Sequence, residues 1–389
     1  MNAGLDVDAL VAETCDRTGL SDLGPGGVPD GLGELVDSAA RQAQFNAVGE
    51  AAFPGILGAA LEQRLRVIDW VRRHPEVAEE QIEAPLVVIG MFRAGTTLLS
   101  RLLDQDPTNR ALLGWEAADS VPPPTPAEHR SGPRVEAAHA SNRMLSQINP
   151  RVDVVHHEAA DEATECITVM AQDFKSLSWE AIANLPDYDA WLMAVDQRSA
   201  YEYHRSVLQI LQSGGVRGRW TLKSPHHATA LDALTTVYPD ARLVLAHRDP
   251  VALCGSVCSL IETLTSTFSD ADHRAYIGRH WSTVLMECVS RIDAFRAAHP
   301  EYPIVDVHYA DLVTDPVGTM TGIYTACGDT LSPTAADAVA DYVAHNPKGR
   351  FGEHHYDLAA YGLDPDQIRE RFADYVERYA VPAEIAVTD

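Results

Sequence analysis

The chain has 389 residues, 46% hydrophobic and 22% charged, enough for one large α/β domain with an added subdomain, or for two domains, around a proper core. Thirty basic residues against 56 acidic ones leave a formal charge of −26, which argues against non-specific nucleic-acid binding and docking on anionic lipid but leaves room for an anionic small ligand in a local basic pocket. The six cysteines show neither C-x-x-C nor zinc-finger spacing, the opening MNAGLDVDALVAETC lacks the pattern of a secretory signal, and no run reaches the roughly 18 apolar residues of a membrane span, so a reducing cytoplasm is the expected compartment.

In chain order, residues 1–84 carry apolar residues at helical spacing on either side of the loop GPGGVPDG, and are expected to form a helical N-terminal subdomain, serving as a cap or a homo-oligomer contact. From residue 85 the character changes. PLVVIG is a short continuous apolar run, the mark of a strand buried on both faces, and a helix-like stretch follows from Gly95 to Leu103. The pairing recurs at RWTLK (219–223), ARLVLAHR (241–248) and YPIVDVHY (302–309), each followed by a helical pattern. This alternation predicts an α/β fold with a central parallel sheet over residues 85–389, interrupted at about 115–215 by a largely helical insertion expected to form the acceptor side of a pocket. In such sheets ligands bind at the carboxyl ends of the strands, and each candidate below lies just after a strand.

The stretch VVIGMFRAGTTLLSRLL (87–103) resembles a phosphate-binding loop with Thr96 where an NTPase carries lysine and the basic residue inside the loop, at Arg93. Backbone N–H groups at the helix start, the helix dipole, the hydroxyls of Thr96 and Thr97 and the fork of Arg93 suit an anion. A kinase would want the missing lysine and a magnesium site; a sulfuryl donor needs less neutralisation and no obligatory metal. At a later strand end, HRDPVALCGS places Arg248 and, two helical turns on, Ser256 where they can converge on one phosphate. HHEAADEATEC (156–166) sets His156, His157 and Glu158 side by side, a spacing unsuited to three ligands on one side of a regular element, so no metal is expected there.

With these motifs the chain resembles the sulfotransferases that use 3′-phosphoadenosine 5′-phosphosulfate, particularly the tyrosylprotein and bacterial branches. FRAGTTLLSRLLDQDP is similar to the family loop that grips the 5′-phosphosulfate, with Phe92 in place of the usual proline and Ala94 in place of serine. The resemblance implies a three-layer P-loop-like fold. It implies donor contacts from Arg93, Ala94, Gly95, Thr96 and Thr97, and from Arg248 and Ser256 to the 3′-phosphate. NPKGRFGEH would add Lys348, Gly349 and Arg350 over that phosphate, and YADLVTDP would put Tyr309 near the adenine. Lys223, in TLKSPHH, matches the family lysine that stabilises the transferring group, with Arg93 beside it. Glu116 or His226 would be the base. The implied reaction moves SO3 to a hydroxyl of a small-molecule, lipid or carbohydrate acceptor and leaves adenosine 3′,5′-bisphosphate, without a metal. A P-loop nucleotide kinase and a catalytically inactive nucleotide-binding protein are the alternatives; the residue at 96 and the Arg248, Ser256 and Lys348 elements speak against the kinase.

Overall fold

The structure, a computed structural model, describes residues 5–26, 28–155, 158–347 and 356–384. Strands β1 (Leu86–Gly90), β2 (Asn109–Ala111), β3 (Arg219–Lys223), β4 (Arg242–His247) and β5 (Ile304–His308) form one sheet in the order β2-β3-β1-β4-β5, with every neighbouring pair parallel. Helices α1 (Val7–Thr18), α2 (Val28–Gln42) and α3 (Ala47–Arg73) precede the sheet, and α4 (Thr96–Leu103) follows β1. Between β2 and β3 lie α5 (Gly114–Ala118), α6 (Pro133–Ile148), α7 (Arg151–Val155), α8 (Ile167–Ala171), α9 (Pro186–Ala194) and α10 (Arg198–Ser213). Helix α11 (Leu231–Val237) follows β3, and α12 (Pro250–Thr265) and α13 (Arg274–Ala298) follow β4. After β5 come α14 (Tyr309–Thr314), α15 (Pro316–Ala326), α16 (Pro333–His345), α17 (Pro365–Arg371) and α18 (Ala373–Tyr379).

The three layers follow from the two-residue period of the strands. Val87, Ile89, Leu243 and Leu245 join the apolar cluster built from α12, α13, the insertion and the N-terminal helices. Their neighbours Leu86, Val88 and Val244 join the opposite cluster with Leu99, Leu102 and Leu103 of α4, Met320 and Ile323 of α15 and Val339 of α16. A strand with an apolar residue at every position is therefore covered on both faces, and the sheet is the middle layer of the expected three-layer P-loop-like α/β fold.

Helix starts are written in the sequence by an oxygen-bearing residue followed by proline. Asp249, Asp315, Ser332 and Asp364 each accept a backbone N–H from the first turn of the helix that begins at the next residue, a proline. The cap satisfies an orphan donor, and proline at the first position loses no bond there. In the N-terminal part, the apolar periodicity runs on where the structure breaks. Gln44 takes φ 49°, and Asn46 Oδ1 accepts from Val48 N at 3.0 Å and Gly49 N at 2.9 Å, so α3 restarts at Ala47. The buried pair of Arg64 on α3 with Asp173, at 2.7 Å, ties this region to the insertion.

Candidate active site

Four strand ends meet at one place, and the loop after β1 is its centre. Gly90 has φ 144°, and a Cβ there would stand 2.8 Å from the carbonyl of Ala246 on β4. Arg93 adopts φ 71° and Gly95 φ 92°, so the loop turns through left-handed conformations that cost energy for a residue with a side chain. A Cβ on Gly95 would stand 2.5 Å from Tyr309 Cδ2. Gly95 is the N-cap of α4 and supplies no side-chain cap, which leaves the first N–H groups of the helix for an anion. Phe92, where the family has proline, packs edge-on against Trp281 with ring centres 4.9 Å apart, and Ala94 is fully buried.

Four of the predicted donor residues, Arg93, Ser256, Arg248 and Tyr309, touch one another, with partners that differ in part from those expected. Arg93 Nε donates to Ser256 Oγ at 2.9 Å, so Ser256 meets the loop arginine. Arg248 Nη1 donates to the Arg93 carbonyl at 3.0 Å, and its guanidinium lies 4.3 Å from the centre of the Tyr309 ring. Burial, and then the neighbouring Arg248 cation, lower the pKa of Arg93. Thr96 is buried at the start of α4. Lys223, at the end of β3, donates to Glu165 Oε1 at 2.7 Å and to Thr97 Oγ1 at 3.3 Å, with its side chain 1% exposed. Lys348, Gly349 and Arg350 lie outside the described residues, as do His156 and His157. Glu158 is half-buried, and its Oε1 accepts from Thr164 Oγ1 at 3.4 Å. Among the described residues no cluster of His, Cys, Asp or Glu is arranged to hold a metal ion.

The two candidate bases are both buried and bonded within the fold. Glu116 is fully buried, with Oε1 accepting from Arg110 Nη2 at 2.7 Å and Oε2 from Arg110 Nη1 and Leu113 N, both at 3.1 Å. Arg110 in turn lies over the Trp220 ring at 4.1 Å. Both oxygens of Glu116 are committed to fastening α5 to β2. His226 is equally buried: its Nε2 sits 2.6 Å from Gln197 Oε1, and Leu177 N donates to its Nδ1 at 3.3 Å. Burial, and then the Arg291 charge, push its pKa down to about 3. Neither side chain offers a free basic atom.

Glu165, which sequence reasoning passed over, is bonded through Oε1 to Lys223, and no hydrogen bond to its Oε2 is found among the described residues. Its neighbour Cys166 donates its N–H to the carbonyl of Lys223 at 2.9 Å, which stitches the insertion to the end of β3 and sets the carboxylate beside the lysine. The Glu165 side chain is 15% exposed, so it reaches the opening of the site. Tyr356 was passed over too. Its ring lies where a Cβ on Gly255 would stand 2.1 Å away, next to Ser256, and its hydroxyl reaches the Ala252 carbonyl at 3.3 Å. Glycine at 255 is the one local sign that something packs there.

Comparison with known proteins bears on the family and the fold. A family model described as the sulfotransferase family matches residues 85–333. The crystal structure of sulfotransferase STF9 from Mycobacterium avium superposes with a TM-score of 0.89 at 32% identity, covering 99% of both chains. That of sulfotransferase STF1 from Mycobacterium tuberculosis H37Rv gives 0.85 at 33% identity, covering 96% of this chain and 100% of that one. Among curated proteins, the omega-hydroxy-beta-dihydromenaquinone-9 sulfotransferase Stf3 of Mycobacterium tuberculosis is 23% identical over 321 residues, 78% of this chain and 77% of its own. A chain whose residues 85–333 match the family model, and which shares nearly its whole course with two solved members at more than 30% identity, belongs to the sulfotransferase family.

Proposed function

We propose that the chain transfers a sulfuryl group from 3′-phosphoadenosine 5′-phosphosulfate to a hydroxyl, with Lys223 and Glu165 at the point of transfer. The observation that carries this reading is the contact of Lys223 Nζ with both Glu165 and Thr97, which joins a cation, a carboxylate and the anion-binding loop within 3.3 Å. The loop N–H groups, Thr96, Thr97 and Arg93 suit the 5′-phosphosulfate, and Arg248 with Ser256 suits the 3′-phosphate, joined by Lys348, Gly349 and Arg350. Tyr309 is positioned to flank the nucleoside. Glu165 takes the proton of the acceptor hydroxyl as its oxygen bonds to sulfur. Lys223 moves from Glu165 to the oxygen that links sulfur to the 5′-phosphate and stabilises the negative charge left as that bond breaks. The products are a sulfate ester and adenosine 3′,5′-bisphosphate.

Of the three acceptor classes, a lipid hydroxyl is favoured, because the relative Stf3 acts, by its name, on an omega-hydroxylated dihydromenaquinone. We place the reaction in a reducing cytoplasm; no helix among the described residues is long and apolar enough to cross a membrane. Nucleotide choice tests the reading. Adenosine 3′,5′-bisphosphate at a hundred times its dissociation constant should stabilise the fold by about 2.7 kcal/mol in thermal unfolding, with much smaller effects from ADP or ATP. Equal shifts with ATP, or a requirement for magnesium, would return the site to the kinase reading.

A further inference from the structure

The edge of Arg248 suited to a phosphate already carries a carboxylate. Arg248 Nε donates to Glu384 Oε1 at 2.5 Å and Nη2 to Glu384 Oε2 at 2.9 Å. The remaining nitrogen, Nη1, is committed to the Arg93 carbonyl at 3.0 Å, and one flat face covers Tyr309. A guanidinium binds an oxyanion bidentately through one such edge, so Glu384 holds the fork itself.

The segment bearing Glu384 is folded back onto the site. Helix α18 ends at Ala380 in a left-handed conformation, and Val381 N donates to the Val376 carbonyl at 3.0 Å while its side chain is buried. Glu384 N donates to Asp249 Oδ2 at 2.6 Å, and the other oxygen of Asp249 caps α12 through Val251 N. Tyr375 of α18 places its hydroxyl 3.4 Å from Arg248 N and 3.2 Å from His247 Nδ1. The helix is thus fastened to the backbone of the site. The carboxylate beyond it is not: the Glu384 side chain is 34% exposed against 16% for Arg248. It sits at the rim, where it can exchange the arginine for water.

We infer that the segment Val381–Glu384 is an internal competitor for the donor nucleotide, with Glu384 standing on Arg248 in place of the 3′-phosphate and leaving when the nucleotide binds. The inference rests on the reading that Arg248 holds the 3′-phosphate. A phosphate and a carboxylate on one guanidinium edge compete for the same N–H groups and repel each other, so the two occupancies exclude one another. The segment therefore weakens nucleotides that carry a 3′-phosphate and is indifferent to those that lack it. It also couples release of the spent bisphosphate to return of the carboxylate.

The test is calorimetric titration of the full chain and of Glu384→Gln and Glu384→Ala with adenosine 3′,5′-bisphosphate and adenosine 5′-phosphate. Loss of a competing, partly exposed ion pair should tighten bisphosphate binding about three- to tenfold in both variants and leave adenosine 5′-phosphate unchanged. Unchanged or weaker bisphosphate binding would make Glu384 a support for Arg248 and overturn the inference. A second measurement uses the unaltered protein. Bisphosphate should speed amide hydrogen exchange at Glu384, whose N–H is released from Asp249; slower or unaltered exchange there counts against displacement. If the bisphosphate binds all three proteins equally, the sulfotransferase reading stands and the competitor falls. If it binds none of them, the reading of Arg248 falls and takes the competitor with it.

Discussion

Glu116 and Glu165 show what a side chain's partners decide and its identity does not. Both lie between β2 and β3, but Glu116 has both oxygens locked on Arg110, whereas Glu165 faces a lysine and the opening. Glu165→Gln keeps size and removes basicity, so turnover should fall by about 10²–10⁴ while adenosine 3′,5′-bisphosphate binds nearly as before. Glu116→Gln should act the other way. It leaves Arg110 without its charge partner in the interior, and breaking a buried pair costs about 3–5 kcal/mol, which thermal unfolding would read as a large drop in midpoint with turnover per folded molecule retained. The reverse pattern would restore Glu116 as the base. Lys223→Ala should lower the turnover number more than it raises the Michaelis constant for the donor, because its contact with the leaving oxygen strengthens as charge develops. The sequence places Lys223 at the end of β3 and Arg248 directly after β4, where the structure has them. Glu165 was not legible: a hydrogen bond from Cys166 to a residue 57 positions later places it, and nothing in HHEAADEATEC announces that bond.

The same contrast holds among whole elements. β1, β3, β4 and β5 stand within the runs that predicted them; β1 and β4 are buried almost throughout, as strands covered on both faces are, whereas β3 also buries Thr221 and Lys223 and the edge strand β5 exposes Asp306. β2, three residues reading Asn-Arg-Ala, carries no such run and exists because Asn109–Ala111 pairs with Arg219–Thr221 at the sheet edge. The break between α2 and α3 was hidden for a related reason: the apolar period continues through it, and only the Asn46 cap marks it. The loop between β1 and α4 was recognised by its residues, and its shape supplies their reason. Gly95 combines φ 92° with a Tyr309 ring that a Cβ would meet at 2.5 Å. Gly95→Ala should therefore weaken adenosine 3′,5′-bisphosphate binding and destabilise the fold by about 1–3 kcal/mol, since a side chain in the left-handed region is strained and the tyrosine must also give way. Unchanged affinity with normal stability would show that the loop tolerates another path.

Over the whole molecule, the −26 charge and one buried acidic cluster push stability in the same direction with pH. Glu180, Asp189 and His280 come from three separate elements, with His280 Nε2 3.5 Å from Glu180 Oε2 and 3.9 Å from Asp189 Oδ2; Arg291 and Glu287 of α13 also act on Asp189. Burial, and then the charge of Glu180, raise the Asp189 pKa from 3.8 to about 7. A carboxyl whose folded value is raised binds its proton more tightly when folded, so ionising it costs stability as pH climbs from about 4 through about 7. His280 works with the same sign. Burial pulls its pKa down, but the hydrogen bond and charge of Glu180 outweigh this and raise it, so the stability from the protonated ring is present at low pH and lost as pH rises through the raised value. The melting temperature should therefore fall between pH 5 and pH 8. General self-repulsion of an acidic chain also contributes, so the informative quantity is the difference between the native chain and Asp189→Asn at each pH. The variant cannot ionise at this position. Its gain over the native chain should be larger at pH 8 than at pH 5 by an amount of the order of a few kcal/mol, because at pH 5 the folded native chain still holds the Asp189 proton. A pH-independent difference would mean that Asp189 titrates as an ordinary carboxylate and that the pH dependence of the fold comes from its overall charge alone, in which case raising the salt concentration should remove most of it.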